Sequence, residues 1–306
     1  MSNRENQVSV VIPNWNGSQL LRKHLPKVVA VCAGCEIIVV DDASDDDSVE
    51  LLRSHFPGVR LIQSDRRGGF AQTVNLGVAA ATGDIVLLVN SDVEPENNFL
   101  PPLLRHFSDE RVFAVGCLEK SHEKEHIVLR GRGEAEWRHG FFVHRRGEVD
   151  RGDTAWVSGG SGAFRKDLWI QFGGMDSLYS PFYWEDIDLS YTARKSGYKL
   201  AFEPKSVIHH YHEEGKIKQE FSESTVKRIA YRNQFIFIWK NLSDINILLA
   251  HLVWTPIRLT VSLLTGDALM LSGYLSALGK IPQVIGSRRR VSSRWRLSDR
   301  EISGKL

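Results

Sequence analysis

The chain has 306 residues, too many for one small core, and its 42% hydrophobic and 25% charged residues are the mix of an ordinary soluble α/β protein. A formal net charge of +2 makes no electrostatic case for nucleic acid as a partner. Three cysteines exclude a disulfide framework at this size and point to a reducing compartment; Cys32 and Cys35 read as a helix end stopped near Gly34, because no second pair stands at zinc spacing.

The residues from Met1 to Gln7 are polar and lack an apolar core, so no secretory signal is expected there. A β-branched run at 8–12 stops at Pro13 and predicts the first strand. Ser18 is placed to cap a helix carrying Leu20, Leu21, Leu25, Val28 and Val29. A second strand at 36–40 ends in Asp41 and Asp42. A helix over 48–55 and a strand at 59–62 follow. The pattern over 70–81 is helical and closes at Gly83, and a buried strand at 85–89 runs into Asn90, Ser91 and Asp92. A fifth strand is expected at 113–117. This alternation predicts a largely parallel sheet.

From 118 to 153 the chain turns rich in His, Arg, Glu and Gly, with only 141–144 strand-like, and reads as an irregular excursion or hairpin over the sheet edge. Trp156 and the small-residue run at 158–162 precede a helix over 166–172 and a Gly173-Gly174 turn. A helix over 185–196 ends at Gly197, and 199–202 is extended. After about residue 222 the chain is helical and increasingly apolar. The domain reading is 1–222 for the α/β part and 223–306 for a helical, apolar and basic remainder. The stretch 245–265 approaches the length of a bilayer span but holds His251, Pro256 and Arg258; the stretch 269–285 is broken by Gly273, Gly279 and Pro282. Arg288, Arg289, Arg290, Arg294, Arg296, Arg300 and Lys305 stand behind them against Asp299 and Glu301. Two readings stand: helices lying in an anionic membrane interface, or helices packed on the α/β domain.

Ligands of open α/β sheets bind beyond the carboxyl ends of the strands. Three polar groups fall there: Pro13-Asn14-Trp15-Asn16, Asp41-Asp42 and Asn90-Ser91-Asp92. The turn from Pro13 to Gly17 lacks the glycines of a dinucleotide fingerprint, and no Walker pattern occurs. What remains is a nucleotide held by side chains and a metal.

Val8-Ser-Val-Val-Ile-Pro13, Val39-Val-Asp41-Asp42-Ala-Ser44-x-Asp46, Gly69-Phe-Ala-x-x-x-Asn75-x-Gly77, Asn90-Ser-Asp92, Gly173-Gly-Met-Asp176 and Tyr183-Trp-Glu-Asp-Ile-Asp-Leu189 resemble, in order, the motifs of glycosyltransferase family 2. The similarity runs from about Val8 to His212 and is nearest to bacterial rhamnosyltransferase-like members that build cell-surface polysaccharides. It implies a GT-A fold, a Rossmann-like nucleotide-sugar-binding domain with a mostly parallel sheet, followed by a C-terminal helical membrane-associating segment. By the same resemblance Pro13, Asn14, Asn16, Asp41, Asp42, Gly69, Asn75, Asn90 and Ser91 lie on the donor side. Asn90-Ser91-Asp92 stands in place of a D-x-D whose first acid is Asn here. Asp92 and His209 would hold Mg²⁺ or Mn²⁺, with the neighbouring His210 able to exchange roles and His212 close by. Asp186 would be the general base, with Glu185 as the other first-turn carboxylate, and Trp184, Asp188 and Gly160 would face the acceptor.

The activity so implied is inverting transfer of a sugar, rhamnose among them, from a nucleotide-diphosphate donor to a hydroxyl of a glycan or a polyprenyl-diphosphate-linked acceptor. The expected location is cytoplasmic, peripheral on the inner face of the plasma membrane. A sugar-1-phosphate nucleotidyltransferase is the first rival, but it would want a Gly-rich, Arg/Lys-bearing loop after the first strand. A non-catalytic glycan- or membrane-binding protein is the second, and the presence of both Asp92 and Asp186 argues against a decayed site.

Overall fold

A computed structural model of the chain describes residues 7–123, 126–211 and 220–303. His212 and Lys305 lie outside the described residues. Strands β1 (Val8–Asn14), β2 (Glu36–Asp41), β3 (Arg60–Gln63) and β4 (Ile85–Leu88) pair in parallel in the order β3-β2-β1-β4. They are apolar on both faces because both faces are covered. Val10, Ile12, Val39 and Leu87 pack under helices α1 (Ser18–Val31) and α2 (Ser48–His55). Val11, Ile38, Val40 and Leu88 pack on the other side under α3 (Phe70–Ala80). Ser18 does not cap α1. The Asp46 carboxylate accepts from the backbone N–H of Ser18 at 2.9 Å and of Ser48 at 3.0 Å, so one side chain serves the starts of α1 and α2.

The second half of the nine-stranded sheet is mixed. β5 (Val93–Pro95) leads through α4 (Leu100–Arg105) to β6 (Val112–Glu123). β7 (His126–Arg130) returns antiparallel on β6, so of the two readings of this stretch, irregular excursion or hairpin, the structure has the hairpin form. β8 (Gly133–Arg138) and β9 (Phe141–Arg146) form a separate hairpin closed by His139 and Gly140, both with positive φ. Its periodicity is hidden in the sequence because charges face one another across the strands: Glu134 stands opposite Arg145, bonds it at 2.8 Å, and also accepts from Arg132 at 2.9 Å. β10 (Ala163–Arg165) inserts antiparallel between β4 and β6. After α5 (Lys166–Phe172) and α6 (Glu185–Lys195), β11 (Lys199–His210) pairs parallel to β6 and antiparallel to β5. β11 is one strand with a register break between Glu203 and Val207, around Pro204, where the sequence reads two short pieces.

Helix α7 (Glu223–Asn241) buries Phe235, Ile236, Phe237 and Ile238 in a core shared with Phe141, Phe142, Tyr179, Trp184 and Tyr191. The helices after Ser222 therefore pack into the α/β part. α8 (Ile245–Leu264), α9 (Ala268–Leu278), α10 (Ile281–Ser292) and α11 (Asp299–Ser303) complete the described chain. The junction is polar at its centre. The buried Lys240 ammonium donates to Asp188 at 2.6 Å and to Asp176 at 2.9 Å, and Asn241 donates to Asp188 at 2.6 Å. Burial disfavours that ammonium, but the two carboxylates raise its pKa above the usual lysine value. Asp188→Ala would leave this charge buried with one partner fewer. It should lower unfolding free energy by about 3–5 kcal/mol in urea titration of the full chain.

Candidate active site

One cleft of about 680 Å³ opens beyond the carboxyl ends of β1, β2 and β4. Its first wall is Pro13, Asn14 and Trp15 from the end of β1, with Asp42, Gly68 and Gly69 from beyond β2 and before α3. Both oxygens of Asp42 accept backbone N–H groups, from Gly68 and Gly69, at 2.8 Å each. Gly69 has φ +79 and ψ 171, a region open only to glycine, so the clamp needs this residue. The Arg67 guanidinium lies 3.4 Å over the Trp15 ring and forms a two-bond ion pair with Glu220, 2.9 Å on each arm.

The second wall is the turn after β4. The Asn90 N–H donates to Gly160 at 2.9 Å, and Asn90, Ser91, Asp92 and Gly160 all line the cleft. The Asn90 Oδ1 is buried and finds no donor among the described residues, which leaves an acceptor aimed at whatever fills the space. Asp92 meets His210, whose Nε2 is 3.4 Å from the Asp92 carboxylate. The opposite ring nitrogen of His210 lies 3.0 Å from Glu119, a buried carboxylate that also accepts from the Ser121 hydroxyl. Burial alone would keep the His210 ring neutral, but hydrogen bonds and charge from Asp92 and Glu119 outweigh it and push the pKa up to about 10.

His209 is turned away. Its Nε2 is 3.2 Å from Glu96 and its Nδ1 is 2.8 Å from His122, and it does not line the cleft. In β11 side chains alternate, and the register places His209 beside Lys120 and His210 beside Ser121. The expected pairing of Asp92 with His209 is thus corrected: His210 is the histidine beside Asp92. A carboxylate and an imidazole with a carboxylate behind the ring are donors that a Mg²⁺- or Mn²⁺-class ion takes, and such an ion would have to displace the proton that Asp92 and Glu119 favour on the ring. Among the described residues no three His, Cys, Asp or Glu side chains converge as a complete metal cage.

The third wall is the start of α6. Ser180, Pro181, Phe182 and Tyr183 line the cleft, followed by Glu185 and Asp186. Tyr183 and Trp184 have φ +68 and +82, and the Asn233 amide nitrogen on α7 holds the carbonyls of Tyr179, Phe182 and Tyr183 at 2.7–3.0 Å. Asp186 accepts from the Gly159 N–H at 3.3 Å and from the Ile187 N–H at 2.8 Å. Burial raises both carboxyls of the Glu185–Asp186 pair above the ordinary range, and the Asp186 charge adds to the rise at Glu185.

Several expected site residues are spent elsewhere. Asp41 binds Asn14 at 2.8 Å and both the N–H and hydroxyl of Ser44, which fixes the turn beside the cleft. Asn16 has φ +50 and accepts from Asp45 at 2.9 Å. Asn75 ties α3 to the glycine turn through Met175 and Trp169. Trp184 is buried against Phe142 and Phe237, and Asp188 anchors Lys240. None of these five lines the cleft. Trp15 and Tyr183, which stand inside two of the groups read from the sequence, line it. Arg67, Glu220 and Phe221 also line it, and Glu119 backs it, with no motif to mark them, because their roles arise from long-range contacts.

An α/β domain with a D-x-D-like turn after its fourth strand, an acidic helix start facing that turn and helices packed on the far side is a GT-A arrangement. The chain belongs to glycosyl transferase family 2, whose family model matches residues 9–171. Pre-mycofactocin glycosyltransferase of Mycobacterium tuberculosis is 30% identical over 216 residues, covering 67% of this chain and 43% of that protein. The structure of GalNAc-T7 with UDP, GalNAc and Mn²⁺ is similar with a TM-score of 0.61 at 18% identity, over 78% of this chain and 48% of that one. The mannosyltransferase PcManGT from Pyrobaculum calidifontis, in complex with GDP-Man and Mn²⁺, gives a TM-score of 0.56 at 16% identity, over 99% and 79%. The chain spans less than half the length of the curated relatives it matches.

If Glu119 aims the His210 ring, Glu119→Ala should weaken Mn²⁺ binding about 10–100-fold by calorimetry, with Glu119→Asp recovering part of it. Equal affinity in Glu119→Ala and the parent would remove that role.

Proposed function

We propose that this protein is a metal-dependent, inverting glycosyltransferase that takes a nucleotide-diphosphate sugar as donor. The observation that carries this reading is the placing of Asp92–His210 and Glu185–Asp186 on facing walls of one cleft whose remaining wall is the Asp42-clamped glycine loop. Mn²⁺ beside UDP or GDP-Man in the two similar structures supports a divalent ion and a nucleotide donor. Bound at Asp92 and His210, Mg²⁺ or Mn²⁺ would neutralise diphosphate charge and favour release of the nucleotide.

The residues supply the rest. Asn14, Trp15, Gly68 and Gly69 would receive the nucleoside end, with Asn90 and Ser91 toward the sugar. Asp186 takes the proton of an acceptor hydroxyl. That oxygen bonds to the anomeric carbon while the carbon–oxygen bond to the diphosphate breaks on the opposite face, its electron pair leaving with the nucleotide. One displacement inverts the centre. A site for an exposed aromatic at Tyr183, with Phe182 and Phe221 behind it, suits a sugar ring on the acceptor side. The sequence resemblance favours rhamnose as donor sugar and a polyprenyl-diphosphate-linked glycan as acceptor, and the apolar outer helices support work at the inner face of the plasma membrane.

Nucleotide release should appear with one donor of a nucleotide-sugar panel, in Mn²⁺ or Mg²⁺, and rise when a lipid-linked acceptor is added. No release from any donor would refute the reading. Asp186→Asn should lower transfer by at least about 10²-fold while donor binding by calorimetry is kept. Because burial raises the Glu185–Asp186 carboxyls, and the base form is the one that acts, the rate should climb with pH above the ordinary carboxylate range. A flat profile through that range would exclude Asp186 as the base.

A further inference from the structure

Helix α8 is inside out. Its buried positions are His251, Thr255 and Ser262, whereas Ile245, Leu249, Leu252, Val253, Val261 and Leu264 are exposed, Leu252 at 61% and Leu264 at 81%. A helix on a water-soluble domain places these two classes the other way round. The outward face carries no charged residue over 20 residues, about 30 Å of helix, and a contiguous apolar surface of that length marks a contact with something apolar.

The inward polar face is built into the protein. One nitrogen of the His251 ring bonds the Gly140 carbonyl at 2.9 Å, and the other accepts from Trp239 at 3.1 Å. Gly140 has φ +75, and a Cβ there would stand 2.1 Å from the His251 backbone nitrogen, so the helix and the β8–β9 turn are in close contact. Trp254 stacks on His139 at 4.2 Å, Arg258 lies 4.1 Å over Phe141, and the Ser262 hydroxyl bonds the Asp267 carbonyl. Apart from the Ser262 bond, which is local to the helix end, these contacts tie one side of α8, from His251 to Arg258, to the β8–β9 hairpin and α7. A span surrounded by lipid would require them to be given up.

Helix α10 supplies the charge. Ile281 and Ile285 are exposed, and exposed Arg289 follows at the same four-residue spacing, while Arg290 beside it reaches Asp176 at 3.6 Å. Apolar residues followed by an arginine on one face match the acyl-to-headgroup boundary of an anionic bilayer, where long cationic side chains reach up to phosphates.

We infer that the outer face of α8, together with Ile281, Ile285 and Arg289 of α10, docks in the interface of an anionic lipid bilayer with α8 parallel to the membrane plane and not across it. The membrane location proposed above thereby gains a surface and an orientation, and it rests on that reading of the protein's place of work. A second copy of the chain is the competing occupant. It accounts for an apolar stripe but not for the exposed arginine that follows Ile281 and Ile285 on α10.

The full-length protein should float with vesicles of phosphatidylcholine and phosphatidylglycerol, and more weakly with phosphatidylcholine alone. An alkaline carbonate wash should strip it. Leu252→Glu with Val253→Glu should reduce vesicle binding by at least about tenfold. Leu264→Glu at the helix end is an independent second variant, and Arg289→Glu, which leaves the Arg290–Asp176 pair in place, should reduce the preference for the anionic lipid. Ile170→Glu, on an exposed apolar residue of α5, should change nothing. Donor-dependent nucleotide release, measured without vesicles, checks folding and reads the catalytic proposal separately. The inference is overturned if the α8 variants float as the parent does or if the parent resists the carbonate wash. It is also overturned if the parent ignores vesicles and instead forms a dimer that Leu264→Glu dissolves.

Discussion

The Lys240 ammonium, buried between Asp188 and Asp176, is the interaction on which the rest of the molecule depends. Asp188 belongs to the first turn of α6, the same turn that presents Glu185 and Asp186 to the cleft. Asp186 and Asp188, two apart on the helix, point in different directions, so this turn can anchor with one carboxylate and present the other to the cleft. A charge so deep is tolerated only with its partners in place. The ion cluster therefore locks α7 to α6, and Asn233 on α7 holds the carbonyls of the strained Tyr183 region. The C-terminal helices are thus part of what aims the acidic pair.

The opposite wall relies on a different device. Asp92 and His210 come from a turn and from the end of a strand, brought together because β11 pairs with both β5 and β6. Behind His210, Glu119 and Ser121 from β6 form a polar support inside an otherwise apolar sheet. On the other face of the same strands, His209, His122, Glu96 and Lys120 form a separate network that the cleft does not use. Two polar sets thus share three strands, sorted by the alternation of side chains. One face meets the cleft, and the other meets the sheet edge.

A third feature is the reversal of polarity at α8, where His251 and Thr255 face the protein and leucines face outward. This reversal is compatible with folding because each inward polar group has a partner, and because the true core of the region is supplied by α7. The acidic pair, the Asp92–His210 pair and the apolar stripe each then have their own support.

Much of this was legible in the sequence. The β-branched runs and their turn residues determined β1 to β4 and the helices between them, and local periodicity is enough for elements buried on both faces. The ordered motifs determined the family, the Asn90–Asp92 turn and the acidic start of α6. Tertiary structure alone decided which members of each motif reach the cleft. Asp42 lines it while Asp41 closes a turn, and Asp186 lines it while Asp188 is an anchor. His210 faces Asp92 and His209 does not, because the register break around Pro204 sets the strand's parity and no local signal in the sequence reports that parity. The polarity of α8 was written in its residues, but which face is covered depends on Gly140, Trp239 and Phe141, more than 100 residues away in the first and last cases. Sequence determines what each segment can form, because propensity and periodicity are local. Which side chains share a site is decided by packing between distant segments.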